Sequence, residues 1–202
     1  GSADVLEALG VKIDLGPQGV ERCLNEVGFG FMFAQVFHPS MRFAAGPRRE
    51  IGIRTVFNIL GPLTNPAGAG AQMIGVADPG VADKMAQVLA SLGSTHALLV
   101  HGRDGLDEIS LGDATQVWEL KRGDVSSYAV TPEELGLGRV GKEQLKVSGI
   151  EESLGVLKDV LQGARGPARD VVLANAAGVL VAADRVATLR EGIALAAESI
   201  DS

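Results

Sequence analysis

The chain has 202 residues, 46% hydrophobic and 21% charged, a composition that supports one large globular domain and excludes a disordered segment. Its net charge of −7 and its scarce aromatics, 4%, argue against a nucleic-acid backbone or a base-stacking platform. A single cysteine, Cys23, excludes intramolecular disulfides and cysteine-based zinc sites, and the longest nearly apolar runs, 28–37 and 171–183, fall short of the roughly 18 residues that suggest a membrane span.

Ala3 to Leu9 reads as a helix stopped by Gly10. Gly16-Pro17 opens a second, Gln18 to Val27, with proline in its first turn. No basic segment followed by an apolar one precedes them, which predicts a cytoplasmic protein or an excised piece of one. Gly28-Phe29-Gly30-Phe31-Met32-Phe33 lacks the third glycine of a dinucleotide fingerprint and reads as buried packing. His38 follows an apolar segment, where a lone histidine is more often structural than a base or ligand. Pro39 predicts the start of another helix. Arg42, Arg48, Arg49 and Arg54 form the most basic region. A guanidinium grips carboxylate or phosphate in two places, although each arginine equally suits pairing with Glu50 or capping a helix. Ile53 to Leu60 reads as helix, ended by the turn Gly61-Pro62-Leu63-Thr64-Asn65-Pro66.

Gln72 to Ala77 and Thr95 to Val100 are strand candidates, with helical spacing from Val81 to Leu92 between them. Strand, helix, strand predicts an α/β fold with a mainly parallel central sheet flanked by helices. The polar turn from His101 to Ser110 then presents Asp104, Asp107 and Glu108 beyond the carboxyl end of a strand, where ligands collect in open α/β sheets. Adjacent carboxylates there suit a hard divalent ion that also touches a phosphate. By spacing alone they suit a solvated acidic loop equally well. Thr115–Leu120 and Val125–Val130 flank Lys121-Arg122-Gly123-Asp124 as a hairpin, with Trp118 and Tyr128 as packing groups. Three helices follow the Gly-rich stretch 136–141: Ile150–Leu161, Pro167–Ala183 and Arg185–Ser199.

Several blocks, in order, carry a resemblance. They are Gly1-Ser2-Ala3-Asp4-Val5-Leu6-Glu7-Ala8-Leu9-Gly10, Phe37-His38-Pro39-Ser40-Met41, the long block Gly52 to Pro66, His101-Gly102, Gly105-Leu106-Asp107-Glu108, and Asn175-Ala176-Ala177 through Glu191-Gly192 to the end. Together they resemble anthranilate phosphoribosyltransferase over essentially the whole chain. The resemblance implies a nucleoside phosphorylase/phosphoribosyltransferase-like catalytic domain. The reaction it implies is transfer of the phosphoribosyl group from phosphoribosyl diphosphate to the amine of anthranilate, with release of diphosphate, in tryptophan biosynthesis. Asp107 and Glu108 match the family's magnesium-binding acid pair, so Mg2+ is the expected cofactor. Arg48 matches the anthranilate-contacting arginine, Ser2 a contact to phosphoribosyl diphosphate, and His38 and Pro62 walls of the anthranilate channel. No side chain is assigned as a general acid or base. The resemblance further implies a homodimer for the full-length protein, with no nucleic-acid or membrane partner.

In that family the Gly-rich diphosphate loop and a small helical domain lie upstream of the Gly-Ser-Ala-Asp motif. Residues 1–202 are therefore expected to be a single domain, the large α/β one, truncated at its N-terminus and also at its C-terminus, and inactive alone. Two other readings compete. A pyrimidine nucleoside phosphorylase-like enzyme would share the fold, but the acid pair and the turn at 61–66 favour the transferase. A non-catalytic nucleic-acid-binding relative, or a self-associating fragment, shares it too; the charge of −7 argues against nucleic acid.

Overall fold

The apolar run expected as a strand forms the middle of β2 (His96–Gly102). Ala97, Leu98, Leu99 and Val100 have no exposed area, as for a strand covered on both faces. The computed structural model describes residues 2–39, 43, 50 and 57–202. Arg42, Arg48, Arg49, Arg54 and the start of the helix expected at Ile53 lie outside the described residues.

The chain divides into two compact units. The first comprises residues 1–60 and 148–155. It contains α1 (Ser2–Ala8), α2 (Pro17–Val27) and α3 (Ala34–Phe37). Pro17 opens α2, and Gly28 closes it with φ of 79°, its N–H bonding to the Leu24 carbonyl. The stretch after Gly28 is less buried than its composition predicts. Phe29 is 56% exposed, and Phe31 and Phe33 stack at 6.4 Å while half-buried. Gly30 is the residue of this stretch that meets α2. A Cβ there would stand 2.9 Å from Val20 Cγ1.

The second unit comprises 61–147 and 156–202. Its sheet has the order β1 (Ala71–Gly75), β2, β3 (Thr115–Lys121), β4 (Asp124–Val130). β1 and β2 are parallel, from Ala71 opposite His96 to Gly75 opposite Val100, and are joined through α5 (Ala82–Ser91). The α/β class holds, and the sheet is mixed, because β2–β3 and β3–β4 are antiparallel. A parallel return needs a long crossover, which only α5 supplies. The β3–β4 link is two residues, Arg122 (φ 53°) and Gly123 (φ 95°), the positive-φ pair that matches hairpin twist.

α4 (Phe57–Leu63) runs through Gly61-Pro62, where the sequence predicts a stop. Pro62 falls in its last turn, where the missing N–H forfeits one helical bond. The turn comes later, where Asn65 Oδ1 accepts the Ala67 N–H at 2.9 Å. The closing helices are α6 (Ile150–Leu161), α7 (Pro167–Ala182) and α8 (Leu189–Asp201). α8 starts after, not at, Arg185, because Thr188 caps it. Ala174, Ala177, Val181 and Ala182 of α7 pack with Leu98, Val100 and Val117 in the core, and α5 buries Met85, Ala86 and Leu89 against the sheet. Among the described residues no helix is long and apolar enough to cross a membrane.

Candidate functional site

β1 and β2 end side by side, and beyond their carboxyl ends the β2–β3 loop bends back toward α7. Met73 and Gly75 of β1, Asp107 and Glu108 of the loop, and Val171, Val172, Asn175, Ala176 and Val179 of α7 line an open cleft of about 490 Å³.

The loop is braced internally before it reaches the acids. Gly105, with φ of 90°, donates to the Gly102 carbonyl at 2.7 Å, and the Gly102 N–H donates to the Leu106 carbonyl at 2.8 Å. Asp104 is consumed by this bracing. Its carboxylate accepts from Ser110 Oγ at 2.8 Å and from the Leu106 N–H at 3.4 Å, and Lys142 Nζ donates to its carbonyl. Ser110 N–H donates to Thr115 Oγ1 at 2.9 Å, and Arg103 N–H to the Ala114 carbonyl at 2.8 Å. Of the three acids the sequence presents in this turn, Asp104 is thus a structural member.

Asp107 and Glu108 differ. Both are exposed, and among the described residues no hydrogen bond or ion pair occupies either carboxylate. The Glu108 carboxyl is pushed above its ordinary value, first by burial against the cleft wall and then by the charge on Asp107. Two adjacent carboxylates that repel each other, open to an accessible cleft, are a hard-oxygen donor set that fits a dication. Among the described residues no cluster of three or more metal-binding side chains exists. Mg2+ takes one or two carboxylates and fills its other positions with water and phosphate oxygens, so the donor set of the pair fits it.

The other expected site residues fall as follows. Ser2 is the first residue of α1 and exposed; His38 caps α3 and is half-buried; both belong to the first unit. Pro62 is half-buried in the last turn of α4. Arg48 lies outside the described residues. The structure thus brings Asp107 and Glu108 together in one cleft.

Two residues emerge that sequence reasoning did not single out as site members. A Cβ on Gly75 would collide with the Asp107 carbonyl, its carbon being 2.9 Å away. Asn175 bonds the backbone of Ile109, the residue after Glu108. The signal for Asn175 was available: an amide inside the otherwise apolar helix 171–182 requires a partner.

A cleft at the carboxyl edge of a parallel strand pair, fronted by two unpaired acids, lies where ligands collect in open α/β sheets. The model of the glycosyl transferase family, a/b domain, matches residues 1–202, and the chain belongs to that family. It is 55% identical over 202 residues to anthranilate phosphoribosyltransferase of Symbiobacterium thermophilum, a match covering 100% of this chain and 59% of that protein. The crystal structure of anthranilate phosphoribosyltransferase from Thermus thermophilus is similar with a TM-score of 0.92 at 47% identity, covering 100% of this chain and 60% of that one. Anthranilate phosphoribosyltransferase from Saccharomyces cerevisiae in complex with PRPP and Mg gives a TM-score of 0.90 at 28% identity, covering 99% and 58%. The resemblance read from the sequence is borne out. The chain spans 59% of the length of the Symbiobacterium relative.

Proposed function

We propose that the protein carrying this chain transfers the phosphoribosyl group of phosphoribosyl diphosphate to the amine of anthranilate, releasing diphosphate. The observation that carries this reading is the pair Asp107 and Glu108, adjacent and unpaired among the described residues at the mouth of the cleft. The identity to relatives of that name supports it, as does the yeast relative bound to PRPP and Mg.

In this reading Asp107 and Glu108 hold Mg2+. The bound ion would neutralise the leaving diphosphate as C1 gains oxocarbenium character. Ser2 contacts phosphoribosyl diphosphate through its hydroxyl, Arg48 pairs with the anthranilate carboxylate, and His38 and Pro62 wall the aromatic channel. With no side chain assigned as a general base, this reading rests on positioning and charge stabilisation. We read residues 1–202 as part of one large α/β domain of a cytoplasmic homodimer.

The test is steady-state kinetics of the full-length protein with anthranilate, phosphoribosyl diphosphate and Mg2+. Replacing both Asp107 and Glu108 by alanine is expected to lower kcat/KM by about a hundredfold or more, the scale for losing transition-state charge stabilisation. A double variant with unchanged kcat/KM and unchanged Mg2+ dependence would falsify the assignment. The 202 residues alone are expected to show no turnover. Phosphorolysis of thymidine without response to anthranilate would instead favour the nucleoside phosphorylase reading.

A further inference from the structure

Asn175 lies in the middle of α7, and its carboxamide serves the β2–β3 loop. Oδ1 accepts the Ile109 N–H at 2.9 Å, while Nδ2 donates to the Ile109 carbonyl at 3.1 Å and to the Val171 carbonyl at 2.9 Å. One side chain therefore satisfies both backbone groups of a residue 66 positions away. Only one orientation of the amide does so, because Ile109 offers one donor and one acceptor on the same side.

Ile109 adjoins Glu108, and its own side chain has no exposed area within the core. The acid pair is thus fixed from the back, at Ile109, by α7. It is fixed from the front at Asp107, whose carbonyl crosses Gly75 too closely for any Cβ. Glu108 stands between these two points, and Asp107 is itself one of them. The rest of the loop is already closed by Asp104, Ser110 and Thr115, so the bonds from Asn175 add something other than closure. Asn175 also lines the cleft alongside the acids.

We propose that Asn175 is a positioning residue for the divalent-ion site. By clamping Ile109 it sets the direction in which the Asp107 and Glu108 carboxylates face the cleft, and so sets the affinity for the ion. This inference rests on the reading of the acid pair as the ion's ligands.

The experiment titrates Mn2+ alone into the full-length protein and follows the free ion by electron paramagnetic resonance, with circular dichroism to confirm folding. Asn175→Ala and Asn175→Leu are compared with Val181→Ala. The leucine keeps the bulk without adding charge, but can neither accept the Ile109 N–H nor donate to the Ile109 and Val171 carbonyls. Val181 belongs to the same helix and to the core, and its truncation weakens the fold without touching the loop's hydrogen bonds. Both Asn175 variants are expected to bind Mn2+ about tenfold or more weakly, the range for outer partners of metal ligands, while Val181→Ala binds like the parent. Should either folded Asn175 variant bind Mn2+ as tightly as the parent, or Val181→Ala lose as much affinity as they do, the positioning role is overturned. A double alanine variant of Asp107 and Glu108 separates the two ideas. If it binds like the parent, the ion-site reading itself fails, whatever Asn175 does.

Discussion

A methyl group at position 75 would occupy the space where the Asp107 carbonyl stands, so Gly75→Ala forces the β2–β3 loop away from β1. Overpacking of this kind costs about 1–3 kcal/mol, and here the moving part is the backbone of a proposed metal ligand. Gly75→Ala is therefore expected to lower the urea midpoint and to weaken Mn2+ binding together. A variant that kept both would show that the loop tolerates the shift and that its close approach to β1 is incidental. The acids stood out in the sequence by residue type and by their place after an apolar strand, but spacing alone suited a solvated loop equally well, and only the resemblance tied them to a metal ion. Gly75 did not stand out, since it acts on a residue distant in the chain, and Asn175 carried only the signal of an amide in an apolar helix, without its partner. What gives them a role is tertiary contact, at Asp107 for Gly75 and at Ile109 for Asn175. Asp104 shows the converse. By residue type it is a third candidate ligand, yet hydrogen bonds from Ser110 and Leu106 occupy its carboxylate.

The start of α8 depends on a reciprocal cap. Thr188 Oγ1 accepts the Glu191 N–H at 3.2 Å, and the Glu191 carboxylate accepts the Thr188 N–H at 3.3 Å and the Ala187 N–H at 2.9 Å. Such a box satisfies donors that a helix terminus leaves open. Thr188→Ala is expected to cost about 1 kcal/mol and Thr188→Ser much less. In urea titrations the midpoint should fall with an unchanged slope, and no difference between the alanine and serine variants would dismiss the cap. The elements themselves were largely readable. The β3–β4 hairpin followed from alternation around Arg122-Gly123, and α5 from its apolar spacing. Boundaries were harder because other forces set them. Val186 and Ala187 extend the apolar pattern backward, but the threonine cap decides where α8 begins. At α4 the Gly61-Pro62 signal gave way because proline in a final turn forfeits little. The mixed sheet followed the connections, with a helix giving a parallel pair and direct returns giving antiparallel ones.

Across the molecule, ionisation at the far end of β2 from the acid pair helps join the helical layer to the sheet. Asp184, in the turn after α7 with φ of 51°, lies 3.0 Å from His96 Nδ1 and 3.3 Å from Lys121 Nζ. His96 is buried, and its Nε2 faces Glu119 at 3.0 Å. The Asp184 carboxyl is held below its ordinary range, chiefly by Lys121 and then by His96. Arg169 does the same to Asp201, and Arg139 to Glu133. A carboxyl whose folded pKa is depressed stabilises the fold above its unfolded value, and that contribution disappears as pH falls through the folded value. For Asp184 the loss should begin near the ordinary aspartate value of about 3.9 and continue below it. Comparing thermal midpoints with Asp184→Asn isolates this contribution. The wild-type advantage is expected to be full at neutral pH, to shrink below about pH 4, and to shrink with added salt, because the pair is solvent-exposed. A gap that stayed constant with pH would mean that Asp184 acts through the geometry of its turn, not its charge. β2 is seven residues long, so its two ends are roughly 20 Å apart. Over that distance in physiological salt, Asp184→Asn should leave Mn2+ affinity at Asp107 and Glu108 unchanged while it alters acid stability. A parallel loss of both would mean that the whole β2 layer responds as one body to a charge at either end.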